Sequence, residues 1–179
     1  MIWNKEGNIM LNGNGLMGNL YCAQSVNIVP KPGVSNLYYV FTLNLNSRGN
    51  QFRYSIVNMD LDGGKGAVTE DKNILLYTPS NQKMVTIKHA NGRDFWIITD
   101  KWKTNTFYSY LITSTGINLV PVLSSVGTIV NDWLNSTGTG TEMKISPDGK
   151  KLAVCNPRSG SNLELFDFDP ITGKVSNPK

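Results

Sequence analysis

The sequence predicts an all-β protein assembled from repeated four-stranded antiparallel units, and three observations carry that expectation. The first is a block of pattern that occurs three times: a turn, a short apolar strand, a polar gap, and an alternating strand ending in another turn. Its copies read PKPGVSN, LYYVFTLN, FRYSIVNMD, LDGGKG; then HANGRD, FWIITD, TFYSYLIT, STG; then SPDGKK, LAVCN, LELFDFD, PITG. With Leu37, Phe95 and Leu152 opening the equivalent strands, subtraction gives spacings of 58 and then 57 residues. The second is period-2 alternation within strands, the signature of a sheet with two unlike faces. The third is punctuation, since Gly, Asn, Asp or Pro turns separate the short strands.

A repeat of this length falls in the range of propeller blades, each a four-stranded sheet. Lettered A to D from the axis outward, the first unit's strands are expected at about 25–31, 37–43, 52–59 and 73–77. The second unit follows at about 84–89, 94–99, 106–113 and 118–124, and the third at about 141–146, 150–155, 162–168 and 174 to the end. Residues 2–10 read as the last two strands of a preceding unit, so 1–24 is its end plus a linker. The remainder, 25–179, divides into 25–80, 81–125 and 141–179 within a single domain. Closed propellers have about four to eight blades, and an open one exposes faces and edges. The expectation is therefore an incomplete propeller, a piece of a larger one, with closure on itself or on another copy as the alternative.

Composition narrows the function classes. A chain of 179 residues buries a core without disulfide or metal staples. The net charge of +4 is scattered: Lys5, Lys31, Arg53, Lys72 and Arg93 stand singly, and only Lys101 with Lys103 and Lys150 with Lys151 group. That is no basic stripe, which argues against nucleic-acid binding. Cys22 and Cys155 lack the spacing of a zinc or redox motif, and a disulfide between non-neighbouring units is disfavoured. Cys155, inside LAVC, is expected to be buried, and Cys22 to be exposed. No apolar run is long enough to span a membrane. MIWNKEGNIM is already strand-like and reads as no signal peptide; because the chain starts and stops in mid-pattern, any export signal is expected upstream of it.

Residues able to carry chemistry are sparse. His89 is the one histidine, which argues against triad catalysis and favours a structural ring bonded to a neighbouring turn. Asn58, Asp60, Asp62 and Gly63 have calcium-loop spacing, but Thr69 stands where the closing acid belongs, so a hairpin turn is preferred. Asp167 and Asp169 alternate on a strand and are expected to be solvated. Phe41, Trp96, Phe107 and Phe166 are expected to pack between units. No catalytic residue, metal site or cofactor is assigned.

The connections differ at the two ends. A-to-B and C-to-D turns are short, Gly-containing and alike, whereas 11–24, 44–51, 100–105, 126–140 and 156–161 are irregular. Recognition is expected at the irregular end. The residues assigned to binding there are Arg48, Lys101, Trp102, Lys103, Trp133 and Arg158, types that supply contact area and directed hydrogen bonds.

The runs IWNKEGNIMLNGNGLMGN, AQSVNIVPKPGVSNLYYVFTLN, YSIVNMDLDGGKGAV, VTIKHANGRDFWIITDKW, FYSYLITSTGIN, MKISPDGKKLAV and ELFDFDPITGKVSNP, in this order, carry a family likeness. Together they resemble the amino-terminal propeller region of large secreted proteins of gliding Bacteroidetes. Those proteins end in a gliding-motility-associated, type IX secretion type B sorting domain. The resemblance implies export and an extracellular or cell-surface fate. A more distant likeness, SPDGKKLAV followed by FDPITG, is to lactonase-type propellers. The expected function is a non-catalytic binding or adhesion module for a surface glycan or protein, with no nucleic acid or membrane insertion. Further blades of the same polypeptide or another copy are expected as partners. The alternatives are a hydrolytic, lactonase-like propeller or a structural spacer.

Overall fold

A computed structural model of the protein describes residues 1–18, 22, 24–46, 49–129, 142–156 and 162–179. Among them the fold is all-β with antiparallel sheets and no α-helix. The strands in chain order are β1 (Val26–Pro30), β2 (Leu37–Asn46), β3 (Gly49–Asn58), β4 (Ala67–Val68), β5 (Ile74–Lys88), β6 (Phe95–Lys101) and β7 (Thr106–Thr113). They continue with β8 (Gly116–Ile117), β9 (Val122–Ser125), β10 (Glu142–Ile145), β11 (Lys151–Asn156), β12 (Asn162–Phe168) and β13 (Val175–Ser176).

Two hydrogen-bonded sheets result. The larger runs β1-β2-β3-β5-β6-β7-β8, with β4 also on β3 and β9 also on β7; the smaller runs β10-β11-β12-β13. Strand β5 joins two units, and the expected strands 73–77 and 84–89 are one element. Its first part pairs with β3 (Phe52↔Tyr77) and its second with β6 (Val85↔Ile98), with a register break between Ser80 and Met84. Of the expected strand 118–124, only 122–124 is extended, within β9, while the short β8 precedes it. The expected loop 44–51 is largely ladder, because β2 and β3 pair out to Asn46↔Gly49. Of the expected hairpin at 2–10, only the bridge Trp3↔Ile9 forms; Leu11 bridges Ala67 in parallel.

The repeat itself is more regular than the sequence suggests. The first turn closes with Lys31 N donating to Leu37 O, the second with His89 N to Asp94 O, the third with Ser146 N to Lys151 O, each at 2.8 Å. The next ladder pairs are Pro30↔Tyr38, Lys88↔Phe95 and Ile145↔Leu152, so the equivalent residue in the first unit is Tyr38, not Leu37. The spacings 95 − 38 and 152 − 95 are both 57. The first turn is one residue longer and accommodates it with Asn36 at φ 62°. A one-residue slip exchanges the two faces of a strand, so Tyr39 and Phe41 match Trp96 and Ile98.

With that register, the faces stack in a row. Tyr39, Phe41, Leu43 and Phe52 of the first unit pack against Met84, Ile97, Tyr110 and Ile112 of the second. Trp96, Ile98 and Phe107 of the second pack against Leu152, Val154, Phe166 and Phe168 of the third. Phe52 meets Tyr110 at 6.0 Å between ring centroids, and Phe107 meets Phe166 edge-on at 5.1 Å. At the start of the row, Ile2, Met10 and Leu16 cover Tyr38, Val40, Val57 and Val68. The three first strands lie side by side, with the second part of β5 between β1 and β10. The Gln24 side chain, just before β1, reaches the third unit, donating to Met143 O (3.0 Å) and accepting from Met143 N (2.9 Å).

The cysteines reverse their expected burial. Cys22 is buried in the first core, and Cys155, by strand parity, lies half-buried on the outer face of the third unit. No disulfide joins them.

Candidate functional site

At the end opposite the repeated turns, the β6–β7 connection brings three of the six assigned binding residues together. Lys101 belongs to β6 rather than to the loop, paired with Ser80, and its carbonyl accepts from Thr104 N (3.3 Å) and Thr104 Oγ1 (3.0 Å). Trp102 N donates to Pro79 O at 3.2 Å, tying the loop to β5. Lys103, at φ 60°, holds its Nζ 4.6 Å from the centroid of the Trp102 ring. The pair presents a half-buried indole and an exposed ammonium at one spot, suited to stacking plus a charged hydrogen bond. Arg48, Trp133 and Arg158 lie outside the described residues, as do parts of the expected loops 11–24, 126–140 and 156–161.

Beneath this loop lies a polar network that sequence reasoning missed. Between the pairs Ser80↔Lys101 and Met84↔Thr99, three residues of β5 (Asn81, Gln82, Lys83) oppose Asp100 alone. Such a bulge re-aims side chains. It points Lys83 Nζ at Asp100 Oδ2 (3.3 Å) and Asn81 Nδ2 at the same oxygen (3.0 Å). The Lys83 side chain is fully enclosed, and that of Asp100 is 8% exposed. Asp100 Oδ1 and Gln82 Oε1 are buried with no hydrogen-bond partner among the described residues.

Tyr77 extends the network, its hydroxyl within bonding distance of Ser80 Oγ (3.0 Å), Thr99 Oγ1 (3.3 Å) and Asp100 O (3.1 Å). Burial pushes the Tyr77 phenol well above its ordinary range, outweighing the hydrogen bonds from Ser80 and Thr99 that favour ionisation. It therefore stays protonated and donates. Tyr77 also stacks on Tyr108 at 4.4 Å, nearly parallel. The network fixes where the Trp102–Lys103 loop leaves the sheet. Its sequence signal was a polar run, SNQK, without the glycine of the repeated turns and leading directly into MVTIK, together with a lone acid closing FWIITD.

The repeated-turn end has a different character. The ring of His89 accepts Asn91 N at Nδ1 (3.0 Å) and reaches Ile171 O from Nε2 (3.0 Å), which makes Nε2 the donor. Pro170 O accepts from Trp96 Nε1 (3.0 Å) and Ala90 N (3.1 Å). The possible calcium loop is a 3-10 turn at Asp62–Gly64, and Asp60 Oδ1 accepts from Asn36 Nδ2 at 2.8 Å. Asp167 and Asp169 are partnered as well as solvated, Asp167 with Lys151 and Asn177, Asp169 with Thr172. No group of three or more His, Cys, Asp or Glu able to hold a metal gathers among the described residues.

No family model, curated protein or solved structure matches the chain.

Proposed function

We propose that the protein is a non-catalytic binding or adhesion module of a secreted cell-surface protein, with its three units as consecutive blades of an incomplete propeller. A surface glycan or a protein binds at the end carrying the β6–β7 connection. The carrying observation is the contrast of ends: a half-buried Trp102 and an exposed Lys103 stand on a base anchored by Lys83 and Asp100, whereas at the opposite end the Trp96 indole and the His89 ring are already bonded to the Pro170 and Ile171 carbonyls of the next unit's turn. The constant 57-residue register, with first strands side by side, supports the blade arrangement. Export and surface location rest on the resemblance carried by the ordered motifs.

The test is a glycan array and a surface-protein pull-down with the wild-type chain and with Trp102→Ala/Trp133→Ala. Binding that is lost in the double variant while the far-UV circular dichroism spectrum is retained supports the proposal. Binding that survives it, and is lost instead on altering LDGGKG and HANGRD, places recognition at the wrong end.

A further inference from the structure

We propose that the protein associates head to tail with a second copy, the outer face of its third unit receiving the N-terminal segment of that copy. The ladder pairs Tyr38↔Val57, Phe95↔Ile112 and Leu152↔Phe166 place the three units in one register. In it, the face formed by Tyr39, Phe41, Tyr54 and Ile56 matches Trp96, Ile98, Ser109 and Leu111, and both match Ala153, Cys155, Leu163 and Leu165. The first two faces are each covered by the following unit. The third is open, with Leu163 69% and Leu165 40% exposed.

The other end of the row is open in a complementary way. Ile2 and Met10 turn toward the first unit, while Trp3 (58% exposed) and Ile9 (45%), which bridge each other, turn away from it. This segment thus stands where a preceding unit would stand, with an apolar side directed outward along the row.

What identifies the occupant is the exchange of size at one position. Where Tyr39 and Trp96 supply an aromatic ring, the covering turn supplies a glycine: a Cβ on Gly116 would lie 3.8 Å from the Tyr39 hydroxyl, and one on Gly173 would lie 2.6 Å from the Trp96 ring. The third unit has Ala153 there, so the element covering it must bring the bulk itself. Trp3 is an exposed indole on an element already aligned with the row. Joining Ala153 to Trp3 makes a heterologous contact, which closes into a ring when the rotation permits. Two copies bring six four-stranded units and two N-terminal segments standing in unit places, eight places in all, at the upper end of the roughly four to eight of closed propellers; this count, unlike the contact itself, rests on the blade arrangement proposed above.

The contact is tested on the full chain by light scattering across a concentration series and by disulfide trapping. Scattering is expected to rise to twice the 19.8 kDa of one copy, and to remain at one copy for Leu163→Glu, a change at an exposed position. In a Cys22→Ala background, Trp3→Cys is expected to yield an intermolecular disulfide with the native Cys155 on mild oxidation, and the linked species should vanish when Cys155→Ala is added. A mass fixed at one copy at every concentration overturns the proposal, as does a crosslink that persists without Cys155. Ligand binding by the Trp102 loop is read separately on the arrays, so either proposal can fail while the other stands.

Discussion

At the repeated-turn end, the third unit meets the second through Gly173 lying against Trp96 and through the Pro170 carbonyl, which bonds Trp96 and Ala90. At the opposite end, the first and second units are tied by the β5 bulge, where Lys83, Asn81 and Asp100 form a buried polar cluster. The first arrangement is steric: glycine at φ 74° allows an aromatic ring to approach the backbone. It recurs in softer form as Gly116 against Tyr39. The second is electrostatic and occurs once in the described residues, as a charge pair removed from water must be geometrically matched to be tolerated. Repetition thus marks packing, and departure from it marks the place where this chain buries polar groups.

Cutting the electrostatic tie gives the largest expected effect. Lys83→Met leaves the Asp100 carboxylate enclosed with only Asn81, and urea unfolding should show a loss of about 3–5 kcal/mol. Lys83→Met/Asp100→Leu, which removes both charges, should recover most of it. If the single change costs under about 1 kcal/mol, the two ends do not differ as described.

The steric tie should respond to a single methyl. Gly173→Ala combines overpacking against Trp96 with a left-handed backbone, together about 2–4 kcal/mol. Gly92→Ala, at φ 72° with open space around its Cβ position, isolates the backbone part at about 1 kcal/mol. Equal losses in the two variants would show that the Trp96 contact is dispensable.

Smaller changes are expected on the exposed surface. Trp102→Ala removes the contact with Lys103 and should lower stability by only about 0.5–1 kcal/mol, so any larger loss of ligand binding is attributable to the loop. The mildest effect belongs to Asp167, whose carboxyl is held below its ordinary range by the bond from Lys151 and then by that from Asn177. Its folded value lies below the unfolded one. Its contribution is therefore full above the ordinary carboxylate value of about 3.9 and fades as pH falls through the lowered folded value. Asp167→Asn should slightly flatten that acid limb in pH-dependent thermal unfolding, and an unchanged limb would assign no stabilising role to the pair.

Much of this architecture was legible in the residues. Turn chemistry and alternation located the four-stranded units, and Phe41, Trp96, Phe107 and Phe166 are all buried between units. The slip at Leu37 was not legible, because LYYVF offers apolar residues on both faces and only the hydrogen bond closing the turn decides which is first. Cys155 was misassigned for the same reason: LAVC is apolar throughout, and burial depends on which face finds a neighbour. Trp102 and Lys103 were found because exposed aromatic and basic residues in an irregular loop stand out by type. Lys83 and Asp100 were not, since a lysine reads as solvated until a bulge and an enclosing partner are known.

Local structure follows from neighbouring residues alone: where the chain turns, which segments extend, and a period close to 57 residues are consequences of backbone geometry and side-chain alternation within a few positions. The parity of each strand's faces, the fusion of two strands into β5 and the burial of an ion pair were settled by packing. These depend on contacts between residues far apart in the chain, where the face that meets a neighbour becomes core and its alternate remains open.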